Sequence, residues 1–401
     1  MLTYLSKEFI MNWQDHFAQR VDNIKPSTIR EILKLTRQPN MISFAGGLPA
    51  PSLFPSQRIK EATDTVLAKQ ADKALQYGTT EGYLPLREWI GKSSNHKAEN
   101  VQIVSGSQQG LDLIAKIFLN KNDKVVVASP TYMGALRAFD VYEVDYLSVK
   151  CDDDGMLPES LEHALKQKPK IVYVIPNFDN PSGTTMSLER RQLLVDLARK
   201  YNVPIIEDNP YGELRFRGEY LPNLLELAPE RVIYSSTFSK IMAPGFRLAW
   251  LLAPAEVLLP INMAKQASDL HTSSFTQMIV YEVTKDNFMS EQISKVRAYY
   301  KIQNEAMLAA LDRYFPTEIS WTRPEGGMFL WLTLPTHLDA TALIKEAVAK
   351  KVAYVPGEAF FANKSAKNTL RLSYSIASLE QIDSGIKSLS EVFKDSLAKA
   401  S

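Results

Sequence analysis

The chain has few of the residues from which metal sites and disulfides are built. Its 401 residues include a single cysteine, Cys151, and only five histidines: His16, His96, His163, His271 and His337. One cysteine excludes an intramolecular disulfide, an all-cysteine zinc site and an iron–sulfur cluster held by one chain. The histidines show no HExxH spacing, which argues against a histidine-based zinc enzyme. The absence of disulfide chemistry fits a reducing compartment.

An excess of charge of one sign and long apolar runs are also missing. Lys and Arg number 46 and Asp and Glu 45, so the formal net charge is +1. This balance gives no electrostatic basis for bulk binding to nucleic acids or anionic membranes. The most apolar stretch, residues 248–261, is broken by two prolines and Glu256 and falls short of the ~20 residues that span a bilayer. The N-terminal segment is too polar for a signal peptide. We therefore expect a cytoplasmic protein with neither a membrane nor a nucleic-acid partner.

Short apolar runs are present and alternate with helical patterns. The runs cover residues 101–104, 125–128, 171–175, 203–206, 232–234 and 248–252. Between two of them, Ser187 has the character of an N-cap for an amphipathic helix over 188–201. Largely apolar strands that alternate with amphipathic helices predict a mostly parallel sheet covered on both faces. Ligands of such sheets bind at the C-terminal ends of the strands.

The pattern changes after about residue 285. A long helix over 287–314 precedes shorter pieces and a final helix, which predicts a second, smaller α+β domain. The residues before the sheet pattern are expected to form a helical arm that contributes to the small domain and to the substrate site. The expected division is an arm over 1–45, a large domain over 46–285 and a small domain over 286–401.

Polar segments follow several of the apolar runs. SGSQQG at 105–110 lies between a strand and a helix, where free N–H groups can bind phosphate, although a plain strand–helix turn has the same composition. PNFDNPSG at 176–183 contains the Asn-Pro and Ser-Gly pairs of an ordinary loop. The adjacent carboxylates Glu207 and Asp208 end a buried run, where a carboxylate can face a ligand cation or cap the next turn.

Two further segments place cations in unusual positions. Lys240 closes SSTFSK at 235–240, and Arg247 follows seven residues later. A lone lysine is usually a solvated surface charge, but the hydroxyl residues and the arginine favour a site for a phosphate and an amine. Arg371 lies inside the alternating apolar segment TLRLSY at 369–374 and needs an anionic partner if it is buried. A structural salt bridge or a ligand carboxylate would satisfy it equally well.

In their order and spacing these segments resemble the fold-type-I pyridoxal 5′-phosphate (PLP) aminotransferases, most closely the 2-aminoadipate/kynurenine group. The resemblance covers nearly the whole chain and rests on the ordered set STIRE, FAGGLP, QYGTTEG, NPSG, DNPY, STFSK, PGFR, GGMFLW and TLRLSYS. The sequence departs from the usual pattern at Asp179, where an uncharged residue is more common, and at Ser182, where threonine is common. The resemblance implies an α/β fold with a mostly parallel seven-stranded sheet in the large domain and a smaller α+β domain.

The resemblance also implies how the cofactor is held. Lys240 is expected to hold PLP as a Schiff base and then to move the substrate Cα proton, and Asp208 is expected to pair with the pyridine nitrogen. Asn180 and Tyr211 are expected to hydrogen-bond the ring O3′, and Tyr132 to stack on the ring face. The expected phosphate ligands are Ser107, Gln108, Thr237, Ser239 and Arg247, with Tyr77 supplied by the neighbouring subunit of a homodimer.

The substrate site follows from the same resemblance. Arg371 is expected to bind the α-carboxylate by a bidentate pair. The other implied substrate contacts are Asn180, Gly46, Gly47 and, on the arm, Ser27 and Arg30. The two arm residues are similar to positions that meet a side-chain carboxylate in 2-aminoadipate enzymes, although Arg30 could equally form a surface ion pair. The expected reaction is a ping-pong amino transfer between an L-amino acid (2-aminoadipate, aromatic or aliphatic) and 2-oxoglutarate or another 2-oxo acid.

Three other functions share parts of this pattern. A PLP-dependent β-lyase or decarboxylase uses most of the same cofactor residues, because a fold alone does not determine a reaction. A transcription regulator with an aminotransferase-like domain needs a DNA-binding domain as well. Few residues precede the STIRE segment to form one, and the net charge of the chain is not basic. A non-catalytic scaffold is disfavoured because Lys240, Asp208 and Arg371 are all present.

Overall fold

The computed structural model describes residues 11–24 and 40–400. The first of these segments forms two short 3-10 turns, Trp13–His16 and Gln19–Asn23, without a buried side chain. Ser27 and Arg30 lie outside the described residues, so their substrate contacts stay predictions. Among the helices of the two described segments, none has the length and apolar character that crossing a membrane requires.

A sheet of eight strands forms the centre of the molecule. In spatial order the strands are Val101–Val104, Ala249–Leu252, Val232–Thr237, Ile205–Asp208, Ile171–Val174, Lys124–Ser129, Asp145–Asp152 and Gly155–Met156. The pairings from Val232–Thr237 to Asp145–Asp152 are all parallel, whereas Ala249–Leu252 runs antiparallel to both neighbours. The inner strands are buried along most of their length, as continuous apolar runs predict.

The central sheet has one strand more than the predicted seven. The additional strand, Gly155–Met156, forms a hairpin with Asp145–Asp152 at the sheet edge, and two residues are too few to produce a periodic pattern. Asp145–Asp152 is itself absent from the apolar runs, because most of its side chains are half-buried or exposed. On its outer side Asp145–Asp152 pairs with only two residues, which leaves most of that side open to solvent, so this end of the sheet is poorly visible in the sequence.

Helices surround the sheet and connect its strands. They are Ser56–Ala74, Leu84–Ser93, Ser107–Phe118, Met133–Asp140, Pro158–Leu165, Leu188–Tyr201, Leu224–Leu227, Ala255–Asp269, Ser274–Thr284, Phe288–Tyr314, Ala340–Ala349 and Leu379–Ala400. The Ser187 hydroxyl accepts a bond from the Arg190 amide 3.4 Å away, which confirms the predicted N-cap. Leu194 and Ala198 on the same helix are completely buried, so its apolar face packs into the core.

The C-terminal part of the chain contains a smaller antiparallel sheet. Its strands lie in the order Ser320–Trp321, Phe329–Thr333, Thr369–Ser373 and Val355–Pro356. A separate parallel pair joins Ile42–Ser43 to Val352–Ala353, so the chain just after residue 40 packs with C-terminal elements. The helices Phe288–Tyr314 and Leu379–Ala400 pack against each other. This part has the α+β composition expected of it, and the boundaries at residues 45 and 285 stay predictions.

Candidate active site

Loops at one edge of the central sheet bring most of the predicted residues together. Five strands reach this edge, and each ends in or is followed by a predicted site residue: Ser107, Tyr132, Asn180, Asp208 and Lys240. The C-terminal ends of parallel strands form the usual ligand crevice of such sheets. Arg371 comes from the smaller sheet and reaches the same place, since its Nη1 donates to Asn180 Oδ1 over 2.7 Å.

Asp208 has one carboxylate oxygen without a partner. The side chain is 2% exposed, and its Oδ2 accepts a bond from the Tyr173 hydroxyl 2.9 Å away. Its Oδ1 is buried and has no hydrogen-bond donor among the residues that the structure describes. Burial raises the pKa of Asp208 to about 6, and the nearby hydroxyls of Tyr173 and Ser235 oppose that rise. Because an unpaired buried oxygen is costly, it indicates the place of an N–H donor on a ligand.

The neighbouring Glu207 has a structural role. Its two oxygens accept bonds from the backbone amides of Leu224 and Leu225, at 3.1 and 2.8 Å, where the short helix Leu224–Leu227 begins. Burial raises the pKa of Glu207 to about 7 against the effect of these bonds. Of the two roles that the sequence left open for this pair of carboxylates, Glu207 therefore has the capping role.

Lys240 is not a solvated surface lysine. Its Nζ donates to the backbone oxygen of Gly47 over 2.8 Å and lies 5.9 Å from the centroid of the Tyr211 ring. Burial lowers the pKa of Lys240 to about 8, and the positive charges of Arg371 and Arg247 contribute to this shift. A part of the amine is therefore neutral near pH 7, as a nucleophile or a base requires.

Arg371 is buried without a salt bridge. Its side chain is 2% exposed, and besides Asn180 it donates to the backbone oxygen of Ala45 over 2.7 Å. No carboxylate within residues 11–24 or 40–400 pairs with it, and its Nε is buried without a partner. The guanidinium lies 4.2 Å from the Phe329 ring centroid and 5.1 Å from that of Phe360. A guanidinium held this way can accept an anionic ligand in place of the expected structural salt bridge.

Two tyrosines complete the wall of the cleft. Asn180 Nδ2 donates to the Tyr211 hydroxyl over 3.2 Å, so Asn180 bonds both this tyrosine and Arg371. Burial raises the pKa of Tyr211 and that of Tyr132, which keeps both hydroxyls protonated. The Tyr132 ring packs over Gly134, where an added Cβ would lie 2.3 Å from a ring carbon. Glycine at position 134 therefore permits the position of this ring.

An anion site lies at the start of the helix Ser107–Phe118. Gly106 precedes this helix with φ +90°, and the Ser107 hydroxyl is buried with no partner among the described residues. An added Cβ at Gly106 would lie 2.3 Å from Arg247 Nη2, so the guanidinium is packed against the first turn. Free N–H groups at a helix N-terminus together with an arginine suit a phosphate group.

The other predicted phosphate ligands divide into two groups. The hydroxyls of Thr237 and Ser239 lie 2.9 Å apart and are buried. The Gln108 side chain is exposed and donates to the backbone oxygen of Gly134 over 2.8 Å, which leaves its backbone amide as the group available to a phosphate.

Tyr77 is the described site residue that is not brought to the others. It is 78% exposed, and its ring contacts the edge of the His271 ring at a centroid distance of 5.8 Å. The glycines lie closer to the cleft: Gly46 is buried, and an added Cβ at Gly47 would lie 3.0 Å from the Phe329 ring. A side chain at position 47 would therefore crowd the wall of the Arg371 pocket.

Sequence reasoning missed three contributors to the site. Tyr173 donates to Asp208 from inside an apolar run, and a tyrosine in a fully buried strand is the signal that could have found it, since its hydroxyl needs a partner. Phe329 and Phe360 enclose the Arg371 guanidinium. Phe329 lies in the GGMFLW segment, but aromatic residues in a buried strand are usually core residues and nothing local distinguishes this one.

A family model described as "Aminotransferase class I and II" matches residues 39–389. The chain belongs to this aminotransferase family. It is 45% identical to the aromatic-amino-acid aminotransferase 1 of Thermococcus litoralis over 97% of this chain and 96% of that protein. It is also similar to a multiple substrate aminotransferase from Thermococcus profundus, whose crystal structure is known. The two sequences are 43% identical, and the match covers 97% of this chain and 100% of that chain with a TM-score of 0.93.

A third relative carries a cofactor derivative. The α-aminoadipate aminotransferase of Thermus thermophilus, solved in complex with N-(5′-phosphopyridoxyl)-L-leucine, is 42% identical over 97% of this chain and 100% of that one, with a TM-score of 0.92. The predicted fold type I, amino-transfer activity and PLP dependence are confirmed by these comparisons. The chain is a PLP-dependent aminotransferase, which acts on amino acids and 2-oxo acids.

Proposed function

We propose that the cleft binds PLP between Lys240, Asp208 and the Ser107 turn and transfers amino groups from a broad set of L-amino acids. The observation that carries this is the buried, unpartnered Oδ1 of Asp208, which suits the N–H of a protonated pyridine ring. The orphaned hydroxyl of Ser107, beside Arg247 at a helix N-terminus, suits the phosphate. The Lys240 amine, with its pKa lowered to about 8, suits an aldehyde. The residues present therefore fit PLP at its ring, phosphate and aldehyde.

Asp208 holds a proton on the ring nitrogen. When bound, PLP supplies an electron-withdrawing ring that makes the Cα proton of an attached amino acid acidic. That effect needs a positively charged ring, and a carboxylate in a buried site keeps the ring nitrogen protonated. Tyr173 donates to the other oxygen of Asp208 and so orients the carboxylate.

Lys240 moves a proton at its Nζ. This amine would hold the cofactor through its aldehyde, and once released from it Nζ would take up the substrate Cα proton as a base and give it back as an acid. Burial lowers its pKa, as do the charges of Arg371 and Arg247, so the free amine is partly neutral at neutral pH. Tyr132 covers the ring face, and Tyr211 and Asn180 hydrogen-bond the ring oxygen in this proposal.

Arg371 positions the substrate. Asn180 and the Ala45 backbone hold its two terminal nitrogens at 2.7 Å each, which leaves the guanidinium fixed in direction. A fixed guanidinium binds an α-carboxylate by a bidentate pair and determines which Cα bond stands perpendicular to the ring. That orientation favours loss of the Cα proton over loss of carbon dioxide.

We assign the substrates as 2-aminoadipate and aromatic or aliphatic L-amino acids, with 2-oxoglutarate as an acceptor. The names of the relatives support this breadth, since one is an aromatic-amino-acid, one a multiple substrate and one an α-aminoadipate enzyme whose ligand contains leucine. Ser27 and Arg30 are the proposed contacts for a side-chain carboxylate. The proposed place of action is the cytoplasm.

The active unit in this proposal is a homodimer. Several large apolar side chains are strongly exposed in the described part of the single chain, among them Leu75 at 71%, Tyr77 at 78%, Leu259 at 64% and Met263 at 63%. Apolar surface of this kind is typical of protein–protein contacts. Tyr77 is proposed to reach the cofactor phosphate of the partner subunit, which would explain why it contacts none of the other site residues of its own chain.

The test is the absorbance of the purified holoenzyme before and after addition of single amino acids without an acceptor. The panel contains 2-aminoadipate, glutamate, kynurenine, phenylalanine, leucine and cysteine. Donors are expected to change the cofactor absorbance and to release one 2-oxo acid per site. The Lys240→Ala variant is expected to lose covalent PLP. The control variant Lys92→Ala, at an exposed position, is expected to keep it. Absence of any cofactor band after PLP is added would contradict the proposal, and accumulation of pyruvate or ammonia would indicate a β-lyase.

A further inference from the structure

An ion pair between a buried lysine, Lys265, and a partly exposed aspartate, Asp269, lies beside the turn proposed to hold the cofactor phosphate. Lys265 and Asp269 are one helical turn apart at the end of the helix Ala255–Asp269. The Lys265 side chain is 0% exposed, and its Nζ lies 2.8 and 2.9 Å from the two Asp269 oxygens. Removal of a lysine charge from water carries a desolvation cost, which its pairing with Asp269 has to offset. Stability alone therefore does not account for a completely buried lysine at this position.

The ion pair is bonded to both ends of the SGSQQG segment. At one end, Ser105 Oγ donates to Asp269 Oδ2 over 3.0 Å. At the other end, Gln109 Nε2 donates to the same oxygen over 2.6 Å, and Lys265 Nζ donates to Gln109 Oε1 over 2.9 Å. The Ser105 amide also donates to Gln109 Oε1 over 2.7 Å. Between these two fixed ends lie only residues 106–108, the three residues of the proposed phosphate turn.

The same network continues to the segment that carries Tyr77. The Thr272 hydroxyl lies 3.0 Å from the Ser105 hydroxyl, and the His271 amide donates to the Asp269 backbone oxygen over 2.7 Å. The Gly78 amide in turn donates to His271 Nε2 over 3.2 Å. The ion pair therefore contacts the phosphate turn directly and the Tyr77 segment through His271.

We propose that Lys265 and Asp269 are positioning residues for the cofactor phosphate. The pair holds Ser105 and Gln109 at a set separation, so that the amides and the Ser107 hydroxyl of the turn converge on one point. Lys265 also neutralises Asp269, whose uncompensated carboxylate would repel a phosphate dianion near the turn. This inference rests on the proposed function and adds to it residues that do not themselves touch the cofactor.

The test measures PLP binding rather than turnover. Holoenzyme of Lys265→Met, Ser105→Ala and the wild type is diluted into PLP-free buffer, and loss of PLP is followed by absorbance. Lys116→Met is the matched control. Lys116 also forms an i,i+4 ion pair in this region, with Asp112 on the helix Ser107–Phe118. In that pair Lys116 Nζ and Asp112 Oδ2 are 3.8 Å apart and both side chains are half-exposed. We expect PLP to leave Lys265→Met at least about tenfold faster, Ser105→Ala to show a smaller change in the same direction, and Lys116→Met to match the wild type.

Two further readouts separate this inference from a general loss of stability. Inorganic phosphate is expected to compete with PLP for the wild-type apo-protein and to compete more weakly in Lys265→Met, because the turn and not the ring pocket has changed. With saturating PLP, the KM for amino acids is expected to be unaltered, since Arg371 is untouched. A Lys265→Met protein that releases PLP at the wild-type rate overturns the proposal. If Lys265→Met fails to fold, a Ser105→Ala protein that releases PLP at the wild-type rate overturns it instead. A wild-type protein that binds no PLP would instead refute the proposed function.

Discussion

Asp179 is a half-buried residue whose carboxylate closes the loop before Asn180. Its Oδ2 accepts bonds from the amide and the hydroxyl of Ser182, at 3.2 and 2.8 Å, and its backbone pairs with Thr184 and Gly183 at 2.9 and 2.7 Å. Burial nevertheless raises the pKa of Asp179 to about 7. An ionisable residue thus lies next to Asn180, the residue that bonds Arg371.

Replacement of Asp179 by asparagine should make stability less dependent on pH. The folded protein keeps the Asp179 proton up to about pH 7, whereas an unfolded aspartate releases it near pH ~4. Its contribution to folding is therefore full below about pH 4 and is lost as the pH rises through about 7. Asparagine can accept the Ser182 bonds and does not ionise. The difference in Tm, Asp179→Asn minus wild type, is expected to be more positive at about pH 8.5 than at about pH 5.5.

The control for that measurement is Asp153→Asn. Asp153 is exposed in the turn of the Asp145–Asp152 hairpin, so its replacement should change Tm equally at both pH values. An Asp179→Asn difference that is likewise independent of pH would show that Asp179 is already ionised in the folded protein.

Single residues also show where sequence reasoning stops. The pair Glu207 and Asp208 can be recognised as two carboxylates at a strand end, but successive strand residues point to opposite faces, and the sequence does not say which face holds the ligand. The chain neighbours of Lys240 favour a site for a phosphate and an amine, whereas those of Arg371 leave a salt bridge and a ligand carboxylate equally open. Their mutual environment depends on Gly47, Ala45 and the other long-range contacts, which no local pattern contains.

At the scale of elements, a buried arginine joins a helix to the loop that contains NPSG. Arg191 is 0% exposed on the helix Leu188–Tyr201. It donates to the backbone oxygens of Met186, Pro222 and Pro176, at 2.9, 2.9 and 3.0 Å, and to Asn177 Oδ1 at 2.7 Å. These bonds fix the entry of the loop relative to the helix that follows it.

Arg191→Leu should be much more destabilising than an exposed substitution on the same helix. Loss of the guanidinium leaves four acceptors without their donor, and breaking a buried charged network costs about 3–5 kcal/mol. Arg199→Leu is the control, because Arg199 forms a half-exposed pair with Glu230 that is worth at most about 1 kcal/mol. Urea unfolding of both variants measures the difference. Equal losses would mean that water can replace the Arg191 bonds.

Elements whose apolar pattern repeats over several turns could be predicted from the sequence, and short or irregular ones could not. The expected helix over 287–314 appears as Phe288–Tyr314, because long amphipathic helices repeat their pattern over several turns. The edge strand Asp145–Asp152 was missed, since one of its sides faces solvent and polar residues interrupt its apolar ones. The two-residue pair of Ile42–Ser43 with Val352–Ala353 depends on residues about 310 positions apart, a contact that no local pattern can indicate.

For the whole molecule, the proposed dimer predicts that Tyr77 serves the site of the other subunit. The exposed Tyr77 has no role within its own chain in this proposal, so Tyr77→Ala should weaken PLP binding while leaving the fold intact. Tyr220→Ala is the control for loss of an exposed aromatic ring, because Tyr220 is 70% exposed and lies outside the proposed site. It should retain wild-type PLP affinity.

Complementation between two defective variants decides whether Tyr77 acts on the partner. Heterodimers of one Tyr77→Ala chain and one Lys240→Ala chain are purified through two different tags. In them the intact Lys240 and the intact Tyr77 are on different chains. The two residues therefore meet in one site only if Tyr77 crosses the interface. Their transaminase activity should then exceed that of either variant alone. If Tyr77 acts within its own chain, each site keeps one defect and the heterodimer is no more active than the Tyr77→Ala homodimer. A wild-type chain that remains monomeric in sedimentation would also contradict the shared site, because a monomer could bring only its own Tyr77 to its cofactor.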